Sequence, residues 1–350
     1  MSELRAALLR SVIDTVDPDA SELCRALENA LLDSGALGSP VAITRIKSRV
    51  YRLSAGSNGQ ARSFVLKRFD PWLARRNELV AQRWLPALGL SDRCARLLAT
   101  AADPHGDSTW HVYEDLGDGA VDPTRPDPQS VMAVVCLIAE LHTKAAGHPL
   151  VPECRHYCGD LGAPFFAANV RDALAVVEAL APPRVQPTPE QSALRDRLLV
   201  RLRGLRDEGP ERARMLRESG QPDTLLHGDL WTTNTFVTGS GDRLAARLID
   251  WDHAAVGPPS YDLSTFLYRF PRRERPAILA AYRGAVAGAT WSLPPDAELA
   301  VLFETAEYAR YANRVIWPAA AVIQESAAWG WEQLAEVERW FEALEPALPD

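Results

Sequence analysis

The sequence has too few cysteines, in the wrong places, to be held together by disulfides. Cys24, Cys94, Cys136, Cys154 and Cys158 make an odd set of 5 without a paired framework, so reduced thiols and a cytoplasmic setting are expected. Cys154-Arg155-His156-Tyr157-Cys158 has no second ligand cluster to complete a zinc site. Long apolar runs are missing too: the longest, Val131 to Ala139, is far too short to span a membrane as a helix. Glu3, Arg5, Arg10 and Asp14 interrupt the apolar positions of Met1 to Val16, a pattern foreign to secretory signals, so export by that route is not expected. Positive charge is in deficit. With 38 Lys and Arg against 46 Asp and Glu, the formal net charge of −8 leaves no excess for a nucleic-acid surface, and small molecules are the expected partners.

What is present is an ordinary globular composition, 47% hydrophobic and 24% charged, in a chain of 350 residues. That length predicts two lobes with a cleft available between them. Residues 1–38 read as a helical extension, with Leu4, Leu8 and Ile13, then Leu23, Leu27 and Leu31 after the turn-like Asp17-Pro18-Asp19. Its apolar stripe fits packing on the strands that follow; a role in dimerisation stays open, so either a monomer or a homodimer is expected.

Residues 39–117 change period. Val41 to Ile46, Arg49 to Leu53 and Ser63 to Phe69 are short strand-like segments, and Ala55-Gly56-Ser57-Asn58-Gly59 carries hairpin chemistry. Asp70 and Pro71 open a helix that runs to about Leu88. Thr109 to Leu116 reads as a last strand running into a connector, and Gly117-Asp118-Gly119 with Pro123, Pro126 and Pro128 marks the lobe boundary. Residues 118–350 are mostly helical: Gln129 to Lys144, 164–181, 189–207, 273–287, 296–315, 317–328 and 331–345. Fold class is therefore α+β, a small antiparallel sheet followed by a helical lobe.

The chemistry concentrates in Leu225-Leu226-His227-Gly228-Asp229-Leu230-Trp231-Thr232-Thr233-Asn234 and in Leu248-Ile249-Asp250-Trp251-Asp252. Apolar runs precede both clusters, which places the polar groups at strand ends. Phosphoryl transfer needs an aspartate to accept the acceptor's hydroxyl proton, an asparagine shortly after it for metal, and a second metal-binding aspartate further on. Asp229, Asn234 and Asp250 fall in that order and spacing, and their oxygens suit Mg²⁺, a hard cation that takes few protein ligands and keeps several waters.

His-Gly-Asp-Leu-x-x-x-Asn with Ile-Asp-Trp-Asp resembles the aminoglycoside phosphotransferase and choline kinase-like enzymes, small-molecule kinases with a two-lobed protein-kinase-like fold. Protein kinases carry arginine where Gly228 stands and Phe-Gly where Trp251-Asp252 stands, and this chain also has no Ala-Pro-Glu segment downstream. The resemblance covers residues 40–350 and implies ATP or GTP as donor with Mg²⁺. It makes Asp229 the catalytic base, and Asn234 and Asp250 the metal ligands. Lys67, which alone would read as a surface lysine on an edge strand, resembles the lysine that holds the α- and β-phosphates. Its expected partner is Glu78, the one acidic residue on the helix after it. The phosphate loop departs from the protein-kinase pattern: Lys47-Ser48-Arg49-Val50-Tyr51 has no glycine, and the main chain of Arg49, the Ser48 hydroxyl and Val50 are expected to approach phosphate and base. Val65 and Ile249 join the nucleotide-binding candidates, and Glu114 to Leu116 are expected to meet the base edge through main chain. Asp262 resembles the carboxylate that ties the following helix to the catalytic loop, and His142 is expected in the core.

The resemblance implies a small hydroxylated molecule as acceptor. Trp231, Asp252 and His253 lie beside the centre in sequence, and Phe303, Glu307, Arg310, Tyr311 and Arg314 share a broad face of one helix by their spacing. That face is mixed in charge, and Arg269, Arg272 and Arg273 add positive charge after the centre. Such a surface fits a neutral or weakly charged acceptor with a flat group to stack on Tyr311, an antibiotic-type compound such as a nucleoside-type or glycosylated one; the family also includes aminoglycoside kinases of antibiotic resistance. The spacing equally fits Phe303 and Tyr311 in the core. A metabolic kinase for a sugar, an amino alcohol or a methylthioribose-like compound shares every motif, and a nucleotide-binding pseudokinase stays open.

Overall fold

Strand-forming residues gather in the first third of the chain, and there β1 Val41–Lys47, β2 Val50–Ser57, β3 Gln60–Phe69, β4 Leu97–Ala102 and β5 Thr109–Glu114 form one sheet in the order β1-β2-β3-β5-β4. All four pairings are antiparallel. The structure, a computed structural model, describes residues 9–13, 16, 21–33, 41–57 and 60–348. Leu4, Leu8, the turn at Asp17-Pro18-Asp19 and the Asn58-Gly59 turn lie outside them.

Side chains alternate across a strand, so the sheet has two faces with different work. Leu53, Phe64, Leu66 and Val112 fall on one face and are buried against Leu9 and Ile13 of helical residues 9–13 and Leu23 and Leu27 of α1 (Ser21–Asp33). Each such side chain contributes about 1.5–3 kcal/mol by leaving water, and residues 9–13 and α1 share one core with the sheet. The other face carries Val50, Val65, Lys67 and Tyr113, paired across strands as Val50 with Lys67 and Val65 with Tyr113. β4 was not anticipated. Leu97-Leu98-Ala99-Thr100-Ala101-Ala102 is rich in alanine, a poor strand former, and is held by its ladder to β5.

Asp70 and Pro71 begin α2 (Pro71–Leu79) as expected, and the helix continues through a π-helical turn, Val80–Trp84, before a last α turn, Leu85–Ala87. Later in the chain come four short strands, β6 Thr224–Leu226, β7 Thr235–Thr238, β8 Ala245–Leu248 and β9 Ala255–Gly257, paired antiparallel as β6 with β9 and β7 with β8. The chain divides into two compact units. The first comprises residues 1–121 and 233–252, so the β7–β8 hairpin returns to the sheet's unit; the second comprises 122–232 and 253–350. Bridges from Ala120 to Phe236 and from Cys94 to Leu248 make that return.

The second unit is helical: α3 Pro128–Ala145, α4 Val151–Cys158, α5 Ala163–Glu178, α6 Pro189–Glu218, α7 Pro259–Leu267, α8 Arg275–Ala285, α9 Asp296–Glu325 and α10 Ala328–Ala343. Its main core joins Phe166, Val170 and Leu174 of α5, Leu194, Leu198 and Leu202 of α6, Ala312 and Val315 of α9, and Leu334 and Val337 of α10. A proline inside a helix costs about 3 kcal/mol, which is why Trp317-Pro318 reads as a break in the sequence. α9 nevertheless runs through Pro318, because Val315, Ala319 and Val322 on both sides of it are buried in this core. α6 likewise continues past Pro210.

Candidate active site

Within the first unit, the second face of the sheet, α2 and the β7–β8 hairpin enclose a cavity of about 480 Å³. Val50, Val65, Lys67, Glu114, Leu116, Asn234, Ile249 and Asp250, all singled out in the sequence, line it. Its size lies in the range of small-molecule sites. The connector after β5 is pinned over it by Arg52, whose Nε lies 2.6 Å from Asp115 Oδ2.

Asp250 follows β8 with φ 66°, in the left-handed region that aspartate tolerates better than bulky residues. Its carboxylate accepts from Lys67 Nζ and, at 3.2 Å, from Lys47 Nζ. Burial pushes Asp250 up, but the two ammonium groups outweigh it and hold the carboxyl well below the usual range. Asp252 also accepts from Lys67, at 2.9 Å, yet burial and the neighbouring Asp250 carboxylate raise it. Two carboxylates in one place are thus pushed apart in acidity, a pattern common at functional sites. Ile249 N–H donates to the Asn234 carbonyl at 3.0 Å, which holds the asparagine's segment beside Asp250. Asn234 and the ionised Asp250 supply hard oxygen donors of the kind Mg²⁺ takes.

The Lys67–Glu78 pair anticipated from the sequence is not formed. Lys67 lies opposite His111 in the β3–β5 ladder, and Glu78 reaches across to His111 Nε2 at 3.4 Å and to Arg75 at 3.5 Å. Burial and then Lys67 push His111 down to about 4, so it is neutral at pH 7. The helix instead meets the aspartates through its preceding residue: Asn77 Nδ2 donates to Asp252 Oδ1 at 2.9 Å, and Arg76 donates to the Asp252 carbonyl at 2.6 Å. Ser48 and Arg49, between the lining residues Lys47 and Val50, do not themselves line the cavity. They form the tight turn between β1 and β2, Arg49 at φ 61°, and the Arg49 guanidinium pairs with Asp70 at 3.0 Å. Lys47, Asn77 and Tyr113 line the cavity without having been singled out. Lys47 could have been found from its place at the end of β1; the other two depended on strand register and helix phase.

In the second unit, β6 delivers His227-Gly228-Asp229. Gly228 has φ 81°, and a Cβ there would stand 1.9 Å from the His253 carbonyl oxygen, so no other residue fits. Asp262 of α7, fully buried, accepts from the His227 N–H at 2.7 Å and the Gly228 N–H at 2.9 Å. His142 of α3 completes the tie: Nε2 lies 3.3 Å from Asp262 and Nδ1 lies 2.8 Å from the Tyr282 hydroxyl. Burial raises Asp262, but these partners outweigh it and hold the carboxyl below its ordinary value. The loop is further turned by Trp231 N–H donating to the Asp229 carbonyl at 2.8 Å.

Of the remaining acceptor candidates, Trp231 and His253 are exposed, and Trp231 carries Arg269 over its ring at 4.0 Å. Glu307 is corrected: it is 2% exposed, accepts from Ser264 Oγ at 2.8 Å and pairs with Arg310, so it serves the interior of α9 and no ligand surface. A buried carboxylate needs such a partner, and the helix phase that spaced Glu307 with Tyr311 turns it inward. Tyr311 is half-buried, its ring 5.3 Å from Phe341 and 5.8 Å from Trp340. Arg314 is exposed.

Residues 43–296 match the model of the phosphotransferase enzyme family. Among solved structures, an ethanolamine kinase from Plasmodium vivax superposes with a TM-score of 0.60 at 12% identity, covering 91% of this chain and 87% of that one. An aminoglycoside 2′-phosphotransferase in its GDP complex gives 0.58 at 16%, covering 91% and 98%. A choline kinase from Streptococcus pneumoniae gives 0.53 at 14%, covering 91% and 99%. No curated protein sequence matches. At these identities the structures establish the α+β protein-kinase-like fold, and the match over most of the chain establishes the rest: the protein is a member of the phosphotransferase enzyme family.

Proposed function

We propose that the chain moves the γ-phosphoryl group of ATP or GTP to a hydroxyl of a small molecule. The observation that carries this reading is the cavity of about 480 Å³ in the first unit, where Lys67 and an Asp250 held ionised face the same space as apolar Val50, Val65 and Ile249. The apolar residues suit a purine. Glu114 to Leu116 would offer main chain to its edge, since the Glu114 carboxylate is already engaged by Arg247 and by the Arg96 N–H at 2.8 Å. Lys67 would neutralise phosphate charge, and Asn234 with Asp250 would hold a magnesium ion that screens it further. Asp229 would orient the acceptor hydroxyl and take its proton. In a loose transition state with little covalent work to do, such positioning and charge stabilisation carry the rate.

For the acceptor, an antibiotic-type compound is the first reading and a sugar or other hydroxylated metabolite the second. Solved relatives of the fold include both kinds: one is an aminoglycoside 2′-phosphotransferase, another an ethanolamine kinase. The deciding experiment is nucleotide turnover with Mg²⁺ over a panel of hydroxylated antibiotics and metabolites. Acceptor-dependent ADP or GDP release supports the reading; no turnover by any acceptor, together with no Mg²⁺-dependent nucleotide binding, overturns it.

A further inference from the structure

Trp231 stands two residues beyond Asp229, so their Cα atoms are at most about 7 Å apart. It is 40% exposed. Over its face, 4.0 Å from the ring centroid, lies the guanidinium of Arg269. Arg269 sits just past the end of α7, where its N–H donates to the Phe266 carbonyl at 3.2 Å. Ring and cation together make a flat wall with N–H donors along its edge, next to the residue proposed as base.

Among the described residues no carboxylate pairs with Arg269, whose Nε is buried without a hydrogen-bond partner while the residue as a whole is half-buried. Arg272 donates to the Leu348 carbonyl at 3.2 Å, and Arg275 to the carbonyls of Phe270 at 3.0 Å and Ala347 at 3.2 Å, so their nearest partners are neutral. Burial, with repulsion from Arg272 and Arg269, holds Arg275 below the usual arginine range against the pull of Tyr268 and Glu345.

We infer that Arg269, steadied on Trp231, receives an oxyanion of the acceptor, a carboxylate or a phosphate ester, while the acceptor's hydroxyl faces Asp229. The inference rests on the phosphotransferase reading and narrows it: cationic acceptors, aminoglycosides and amino alcohols alike, meet repulsion at this wall. An anionic hydroxyl compound finds a bidentate donor and a ring to lie against.

The test uses the full-length protein labelled with 5-fluorotryptophan, the Trp231 ¹⁹F resonance being assigned by its loss in Trp231→Phe. Titration with inorganic phosphate, and separately with acetate, shifts that resonance to saturation, whereas ethanolamine does not. Arg269→Gln abolishes the shift, and Arg269→Lys, which keeps the charge without the fork, retains part of it. In a matched acceptor set of glucose, glucosamine and glucuronate, kcat/KM favours the acid by about 10- to 100-fold, and Arg269→Gln removes that preference, lowering kcat/KM for the acid far more than for glucose or glucosamine. A Trp231 resonance indifferent to anions, or equally responsive in Arg269→Gln, overturns the anion site. The parent reading stands or falls separately, on whether Asp229→Asn loses nucleotide turnover.

Discussion

Asn77 donates to Asp252 Oδ1 at 2.9 Å, so the helix after the third strand is fastened to the aspartate pair by an amide. Glu78, next to it, is turned to His111 and Arg75. Asn77→Ala is expected to lower kcat/KM by about 10-fold, the worth of one hydrogen bond to a charged group, while Glu78→Gln stays within about 3-fold of the parent. Steady-state kinetics on both variants check this. The reverse ranking would restore the lysine–glutamate pair as the working one.

Asp229→Asn should cut turnover by about 10²- to 10⁴-fold with nucleotide affinity nearly unchanged, because its side chain is assigned to the acceptor. Asp250→Ala should instead abolish Mg²⁺-dependent nucleotide binding. Isothermal titration with and without magnesium separates the two, and loss of nucleotide binding in Asp229→Asn would show the roles to be misassigned.

Lys47 and Lys67 both reach Asp250, but 61% of the Lys47 side chain is exposed against 15% for Lys67. Water screens an exposed pair to at most about 1 kcal/mol. Lys47→Ala is therefore predicted to raise the nucleotide KM about 3- to 5-fold, and Lys67→Ala to remove activity. Equal losses would place Lys47 at the phosphates as a full partner.

His111 carries a pH dependence. Its folded value of about 4 lies below the ordinary 6.5, so between these pH values the unfolded chain binds the extra proton and stability falls as pH is lowered. The loss is on the order of 2–3 kcal/mol across that window. Denaturant midpoints measured from pH 7 to 4 should show a steeper decline for the parent than for His111→Phe; parallel curves would remove His111 as the cause.

Gly228→Ala sets a Cβ against the His253 carbonyl at 1.9 Å in a backbone conformation that L-residues rarely adopt. Strain of that kind costs about 1–3 kcal/mol before the clash is counted, so the melting temperature should drop by several degrees and turnover with it. A variant as stable as the parent would mean that the loop relaxes freely.

The fold was legible where pattern and period are strong. β-branched alternation placed β1 to β3, and in α6 the leucines Leu194, Leu198, Leu202 and Leu205 recur on one face. It was not legible in β4, whose alanines carry no strand preference, nor at Pro318, where burial on both sides overrides a breaker. In the site, order and spacing make Asp229, Asn234 and Asp250 the candidates, and the structure places Asn234 and Asp250 on the lining of one cavity. Asn77 and Glu78 could not be told apart that way. Adjacent residues on a helix differ by about 100° in direction, and which one faces the aspartates depends on how the helix is seated.

The first unit is closed by chain that arrives late: its sheet is complete by residue 114, but the hairpin carrying Asn234 and Asp250 enters only at 233–252, after the helices that begin the second unit. During synthesis the sheet must therefore wait, its cavity-lining face unfinished, until Asp252 has left the ribosome. A fragment ending at residue 121 would expose that face to solvent and to other chains, and it is expected to aggregate where the whole chain stays in solution.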